Sequence, residues 1–230
     1  LTDAGTEFHK HVELILSIYS NMEDEVEYIG KEGVGQLKLG ITELFRAVVP
    51  ELFEMFLELN NDFDIKLIEG NTAHIINQLR LHQVHFALSP LSYLDDDMES
   101  VLLSTNHYSL LVHRDFSDDN IEPDHPGSLQ DSTLIFREDS YELNKFLRTN
   151  DLEFRNIIKV DTIGTAVRLV KKGLGIAIIP RIYAMNYTDD DVKTLDLNYD
   201  LHGPDLYLSY MKERHFTPAI EECIEMTKEY

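Results

Sequence analysis

One cysteine and no tryptophan occur in 230 residues. A lone thiol, Cys223, excludes an internal disulfide and a cysteine-rich metal centre, and it suits a reducing cytoplasm. No apolar run is long enough for a membrane-spanning helix. Positive charge is scarce: 20 Lys and Arg stand against 42 Asp and Glu, a net charge of −22. Phosphate backbones are gripped by cations that displace counterions, so this surface alone is expected to bind neither nucleic acid nor an anionic membrane. The opening Leu1-Thr2-Asp3-Ala4-Gly5 has no methionine and no basic segment ahead of an apolar one. No secretory signal is read there, and the sequence reads as a piece of a longer one.

Catalytic and metal frameworks are missing too. There is no Gly-x-Ser-x-Gly elbow, no Walker loop and no His-Glu-x-x-His. An enzyme is therefore not expected. Ten histidines invite a metal, but His82 and His85 form the tightest pair and no Cys or carboxylate stands at ligand spacing beside them. His9 and His11 are two apart and do not share a helix face. Asp95–Asp97 and Asp189–Asp191 lack the Gly and Glu of a calcium loop. Gly173-Leu174-Gly175 lies after a helix and before a strand, the wrong order for a dinucleotide fingerprint. Asn186-Tyr187-Thr188 matches a glycosylation acceptor, which means nothing without secretion. No metal and no cofactor are expected.

What is present supports folding. The hydrophobic share of 43% supplies a core, and the length suits one large domain or two small ones. Phe8, Val12, Ile15, Tyr19, Met22, Val26 and Ile29 are spaced alternately four and three apart, an uninterrupted heptad seam. Leu16 and Ile18 widen it. The helix it predicts is about 35 Å long. Gly30, Gly33 and Gly35 then make a joint. A seam this regular ahead of a glycine linker favours pairing with a second copy over packing on its own domain.

Beyond the joint, strands and helices alternate. Strands are read at 37–41, 64–69 and 84–88, with helices at 44–59 and 72–81; Pro50 kinks the first helix or marks its start. Residues 101–112 read as one long strand, after an acidic loop at 95–99, and 117–127 read as a loop. The rhythm resumes with strands at 133–136, 156–160 and 175–179 and helices at 141–147 and 163–172. A strand at 206–210 and a helix entered at Thr217-Pro218 close the chain. Strand–helix–strand order means parallel sheets with right-handed crossovers. The expected fold is α/β and two-lobed, with ligands held at strand carboxyl ends between the lobes.

That rule selects candidate contacts. Arg137 follows a strand and could clamp a carboxylate, or pair with Glu138 or Asp139. Thr42, Thr72, Ser89 and Thr162 are small hydroxyls at other strand ends that could bond a ligand or cap helices. Glu43 and Asp161 would repel an anion unless a cation offsets them, and would suit an amine.

The pieces together resemble LysR-type transcriptional regulators. Leu1-Thr2-Asp3-Ala4-Gly5 with Phe8 resembles the start of their linker helix. Gly35–Ile41, Pro50–Phe56 and Ile65–Gly70 resemble the opening of their effector domain. Val167–Val170 with Gly173–Pro180 resembles the glycine turn and strand of its second lobe. The resemblance spans the chain in order. It implies a type II periplasmic-binding-protein-like fold: a linker and dimerisation helix at 1–32, lobe I at 33–104 and 213–230, and lobe II at 105–212. It also implies a missing N-terminal winged helix-turn-helix that meets promoter DNA, self-association as dimer or tetramer, and a small effector; a carboxylate or an amino acid is one class that would suit Arg137. Effector positions of the family map onto Thr42 and its neighbour Glu43, Asn71 or Thr72, Ser89, Phe136, Arg137, Asp161, Thr162 and Ile163. The chain departs from the family at His82 to His85, where Gly and an acid are common, and at Asp161, where a small hydroxyl is common. A transporter's solute-binding protein of the same fold is the alternative; it would carry a signal or anchor and no heptad helix.

Overall fold

The computed structural model describes residues 1–29, 36–59, 64–90, 96–116, 126–185, 190–197 and 201–229. Gly30, Gly33 and Gly35, Asp95, most of the 117–127 segment, Asn186–Thr188 and Asp189 lie outside them.

Helix-breaking residues are absent between Gly5 and Gly30, and α1 runs unbroken over Asp3–Ile29. Thr2 starts it: its hydroxyl accepts from the Gly5 amide at 3.1 Å. The chain then alternates as its patterning requires. β1 (Gln36–Ile41) leads through a 3₁₀ turn, Glu43–Ala47, into α2 (Val49–Leu59), so Pro50 sits in the first turn of a helix and breaks nothing. β2 (Asp64–Glu69), α3 (Thr72–Arg80), β3 (Phe86–Ser89) and β4 (Met98–Ser104) follow. Next come β5 (Tyr108–His113), β6 (Thr133–Arg137), α4 (Tyr141–Thr149), β7 (Asn156–Val160) and α5 (Ile163–Lys171). β8 (Ile176–Pro180), α6 (Arg181–Met185), β9 (Val192–Asp196), β10 (Leu206–Met211) and α7 (Pro218–Glu229) complete the order. No described helix is long and apolar enough to cross a membrane.

Two compact units result: residues 1–104 with 206–230, and residues 105–205. The first holds a sheet ordered β2-β1-β3-β10-β4, the second a sheet ordered β7-β6-β8-β5-β9. In each, β strands joined by helices pair in parallel, and a strand from elsewhere in the chain enters antiparallel. Helix-covered central strands are buried on both faces. β1 illustrates it: Leu37 to Ile41 are all buried, including Lys38. The Lys38 amide donates to His85 Nδ1 at 3.0 Å, and the His85 amide returns a bond to the Lys38 carbonyl at 2.7 Å.

Phe56 and Phe86 meet edge to face at 6.3 Å in the first core. Ile75, Ile76 and Leu79 pack with Val84, Ala87 and Met98 beside them. The second core gathers Leu110, Leu134, Phe136, Leu143 and Ile176. Gly173 takes φ +68, the left-handed turn that ends α5, and a side chain at Gly175 would meet the Thr133 carbonyl at 2.3 Å.

The structure departs from the sequence-based expectation in three places. Residues 101–112 are two strands in different sheets, because the chain turns at Asn106, whose side chain accepts from the His107 amide at 3.0 Å. β10 pairs with β3 and β4, so the second unit ends at Asp205 and residues 206–212 do not belong with it. β9 and α6 were not read from the sequence; both are only five residues long.

Candidate functional site

The ladders carry on past the strand ends. The Thr42 amide donates to the Leu88 carbonyl at 3.1 Å, and the Gly70 amide to Ile41 at 3.1 Å. Thr42, Asn71 and Ser89 thus share one carboxyl edge of the first sheet. Ser89 is fully buried there. Thr42 is 5% exposed, and its Oγ1 has no hydrogen-bond partner; it does not cap the turn that follows. An unmet buried hydroxyl costs about 1–3 kcal/mol. Such an atom in a native fold calls for a reason.

Its neighbours are satisfied. Asn71 Oδ1 accepts from the His74 amide at 2.9 Å and caps α3, which leaves Thr72 as the first helical residue, half-buried. Glu43 opens the 3₁₀ turn with its side chain 12% exposed, and Arg46 stands 3.9 Å away. Arg46 also donates to Glu69 through Nε at 2.9 Å and Nη2 at 2.5 Å. Here is the cation that offsets Glu43. The sequence reading missed it because Arg46 reaches the edge only through a helical turn.

The second sheet has its own edge. Glu138 N donates to the Val160 carbonyl at 3.0 Å, which brings Arg137 and Asp161 to neighbouring strand ends. Phe136 is buried in the core and Asp161 is exposed. Of the two roles open to Arg137, the ion pair is filled: Nε and Nη2 meet the two Asp139 oxygens at 2.6 and 2.5 Å. Thr162 acts as a cap, its Oγ1 accepting from the Thr165 amide at 3.2 Å and lying 2.9 Å from Thr165 Oγ1. Ile163 turns into the core.

Tyr108 belongs to this edge and was not foreseen. β5 runs against β8 with Tyr108 opposite Pro180, so its start meets the carboxyl ends of β6 and β8. Its hydroxyl lies 2.6 Å from Ser140 Oγ. Burial pushes the phenol up to about 12, so it stays protonated at neutral pH. Asn106 Nδ2 and Ser109 Oγ are further buried atoms without a partner in this unit. Nothing in local sequence marks them, since their surroundings come from β8, α6 and β9.

On α1 the heptad seam faces solvent. Phe8 is 71% exposed and Val26 64%; Ile15, Leu16, Ile18, Tyr19 and Met22 are exposed as well, and Val12 is half-buried. The side chain of Ile29 lies outside the described residues. Contact with the rest of the first unit comes from a polar residue: Ser17 donates to the Leu81 carbonyl and accepts from Gln83 Nε2 at 2.7 Å.

This architecture is similar to several solved structures. CbnR, a LysR family transcriptional regulator, is 18% identical with a TM-score of 0.75, over 100% of this chain and 81% of that one. Its full-length form complexed with target DNA matches with a TM-score of 0.74. The effector binding domain of QuiR in complex with shikimate is 22% identical with a TM-score of 0.67, covering 85% of this chain and 96% of that one. The regulatory domain of Synechocystis PCC6803 CcmR in complex with 2-PG is 12% identical with a TM-score of 0.71, covering 85% and 96%. At these identities the likeness establishes the two-lobed, periplasmic-binding-protein-like α/β fold. The family model described as the LysR substrate binding domain matches residues 30–230, and the chain belongs to that family.

Proposed function

We propose that this chain is the effector-sensing and self-associating part of a LysR-type regulator. A small polar metabolite takes its contacts at strand carboxyl ends. Thr42 supplies a hydroxyl, with Ser89, Asn71 and Thr72 along the same edge. Glu43, offset by Arg46, faces any amine. Arg137, Asp161 and Thr162 offer their side chains, and Phe136 and Ile163, buried in the core, could offer only backbone. Arg137 donates to the effector's carboxylate by giving up Asp139. The observation that carries this reading is the Thr42 hydroxyl, buried and unpartnered where strands β1 and β3 end. Two similar domains are in complex with a small molecule, QuiR with shikimate and CcmR with 2-PG, which supports this reading.

The seam of α1, Phe8 through Ile29, pairs with a second copy. Binding of the effector favours one arrangement of the resulting dimer or tetramer over another. Promoter DNA is met through a separate N-terminal domain; full-length CbnR, similar in fold, is known complexed with its target DNA. The setting is the cytoplasm, and the role is regulation, not catalysis.

Two measurements test it. A thermal-shift panel of carboxylates and amino acids, with shikimate and 2-PG included, should give a hit; ligand at a hundred times its dissociation constant adds about 2.7 kcal/mol. Light scattering should show a dimer or larger species that the Ile15→Asp/Met22→Asp variant converts to monomer, because charges in a coiled-coil seam are costly. A wild-type monomer would remove the self-association reading. A hit that survives Thr42→Val and Arg137→Ala unchanged would remove the site.

A further inference from the structure

Asn106, His107 and Tyr108 run buried, exposed, buried, and Leu201, His202 and Gly203 do the same. His107 and His202 are partners across an isolated antiparallel bridge. Residues directly opposite in such a bridge project from the same face. Their rings lie side by side in solvent, centroids 5.3 Å apart and planes tilted 38°.

The backbone beneath them is fixed. Asn106 Oδ1 accepts from the His107 amide at 3.0 Å and the Ile182 amide at 3.3 Å. The Asn106 carbonyl accepts from Gly203 at 2.8 Å, and the His107 carbonyl from Arg181 at 2.7 Å. A side chain on Gly203 would come within 3.1 Å of the His107 carbonyl group, so glycine lets the two segments lie this close.

That spacing has a chemical meaning. Two imidazoles bound to one tetrahedral ion through bonds of about 2.0–2.1 Å hold their ring centroids about 5.2 Å apart. We propose that His107 and His202 form a two-imidazole chelate for a divalent ion of the nickel, copper and zinc group, the ions that imidazole suits. No cluster of three or more His, Cys, Asp or Glu is placed for a metal among the described residues, so water fills the remaining positions. The second unit begins at Thr105 and ends at Asp205, so the ion clips the segment that enters this unit to the one that leaves it. Reading the sequence for near-neighbour ligands could not find the pair, because its members lie at opposite ends of the unit.

Zinc chloride titrated into the chain by calorimetry, with nickel as a second probe, tests this. Saturable one-to-one binding in the micromolar range is expected. His107→Ala and His202→Ala should each lower affinity at least about tenfold, since even residues outside the coordination shell are worth that much. His9→Ala, which removes the exposed His9–Glu13 pair on α1, should leave it unchanged. Both pair residues are exposed, so the variants should melt like the wild type without metal; His202→Gln gives a second check on folding. No saturable binding up to millimolar zinc overturns the proposal, as does undiminished binding in both alanine variants or its loss in His9→Ala.

Discussion

At the carboxyl edge of the first sheet the Thr42 hydroxyl is buried and meets nothing. At the edge of the second sheet Arg137 already grips both oxygens of Asp139, and Thr162 already caps α5. One edge holds an unmet need, and the other holds charges that satisfy each other in solvent. A ligand arriving at the first gains a hydrogen bond outright. One arriving at the second must exchange a partner, and the net gain is small.

Three changes would sharpen or break that contrast. The largest effect is expected from Thr42→Val, which removes an unmet buried hydroxyl at nearly constant volume. The free chain should gain about 1–2 kcal/mol, read from urea unfolding, and should lose its response to the effector. A destabilised variant would mean that the hydroxyl is satisfied after all, and the contrast would collapse.

Second is an acid sensitivity that His85 gives to the first unit. Burial, with Arg214 and Lys38 adding repulsion, pushes His85 down to about 2 from 6.5. The folded chain keeps it neutral, while the unfolded chain takes up a proton below pH 6.5. Its contribution is complete above that value and falls as pH drops toward 2, by about 1.4 kcal/mol at pH 5.5. His85→Gln cannot titrate, so unfolding at pH 7.5 and 5.5 should show the wild type losing that much more than the variant. Equal losses would show that His85 takes up its proton alike in both states.

The smallest effect is expected from Asp139→Asn. The carboxylate is 68% exposed, so stability should change by less than about 1 kcal/mol. Affinity for a carboxylate effector should rise a few-fold as Arg137 is released, whereas Arg137→Ala should lower it. If Asp139→Asn weakens binding, Asp139 belongs to the site and the ligand carries an amine.

Much of the architecture was legible because its signals are local. Helix α1 follows from a four-three spacing within one segment, and the α3 and α5 starts follow from Asn71 and Thr162. That Thr42, Ser89, Arg137 and Asp161 stand at strand ends was legible because parallel strands must end at loops, whatever else surrounds them. Arg46 and Tyr108 were not, since one arrives through a 3₁₀ turn and the other on an antiparallel strand from outside the βα series.

By itself the sequence determined the exposed seam, the alternation of strands and helices, and the strand ends where polar residues stand. Those depend on periods of two and 3.6 residues and on caps within a turn. Tertiary structure alone decided that β4 and β5 part company, that β10 returns to the first sheet, and that Thr42 is left without a partner. It also decided that His107 faces His202. The reason is one of distance along the chain: a hydrogen bond, or its absence, is settled by neighbours that only the folded sheet brings near.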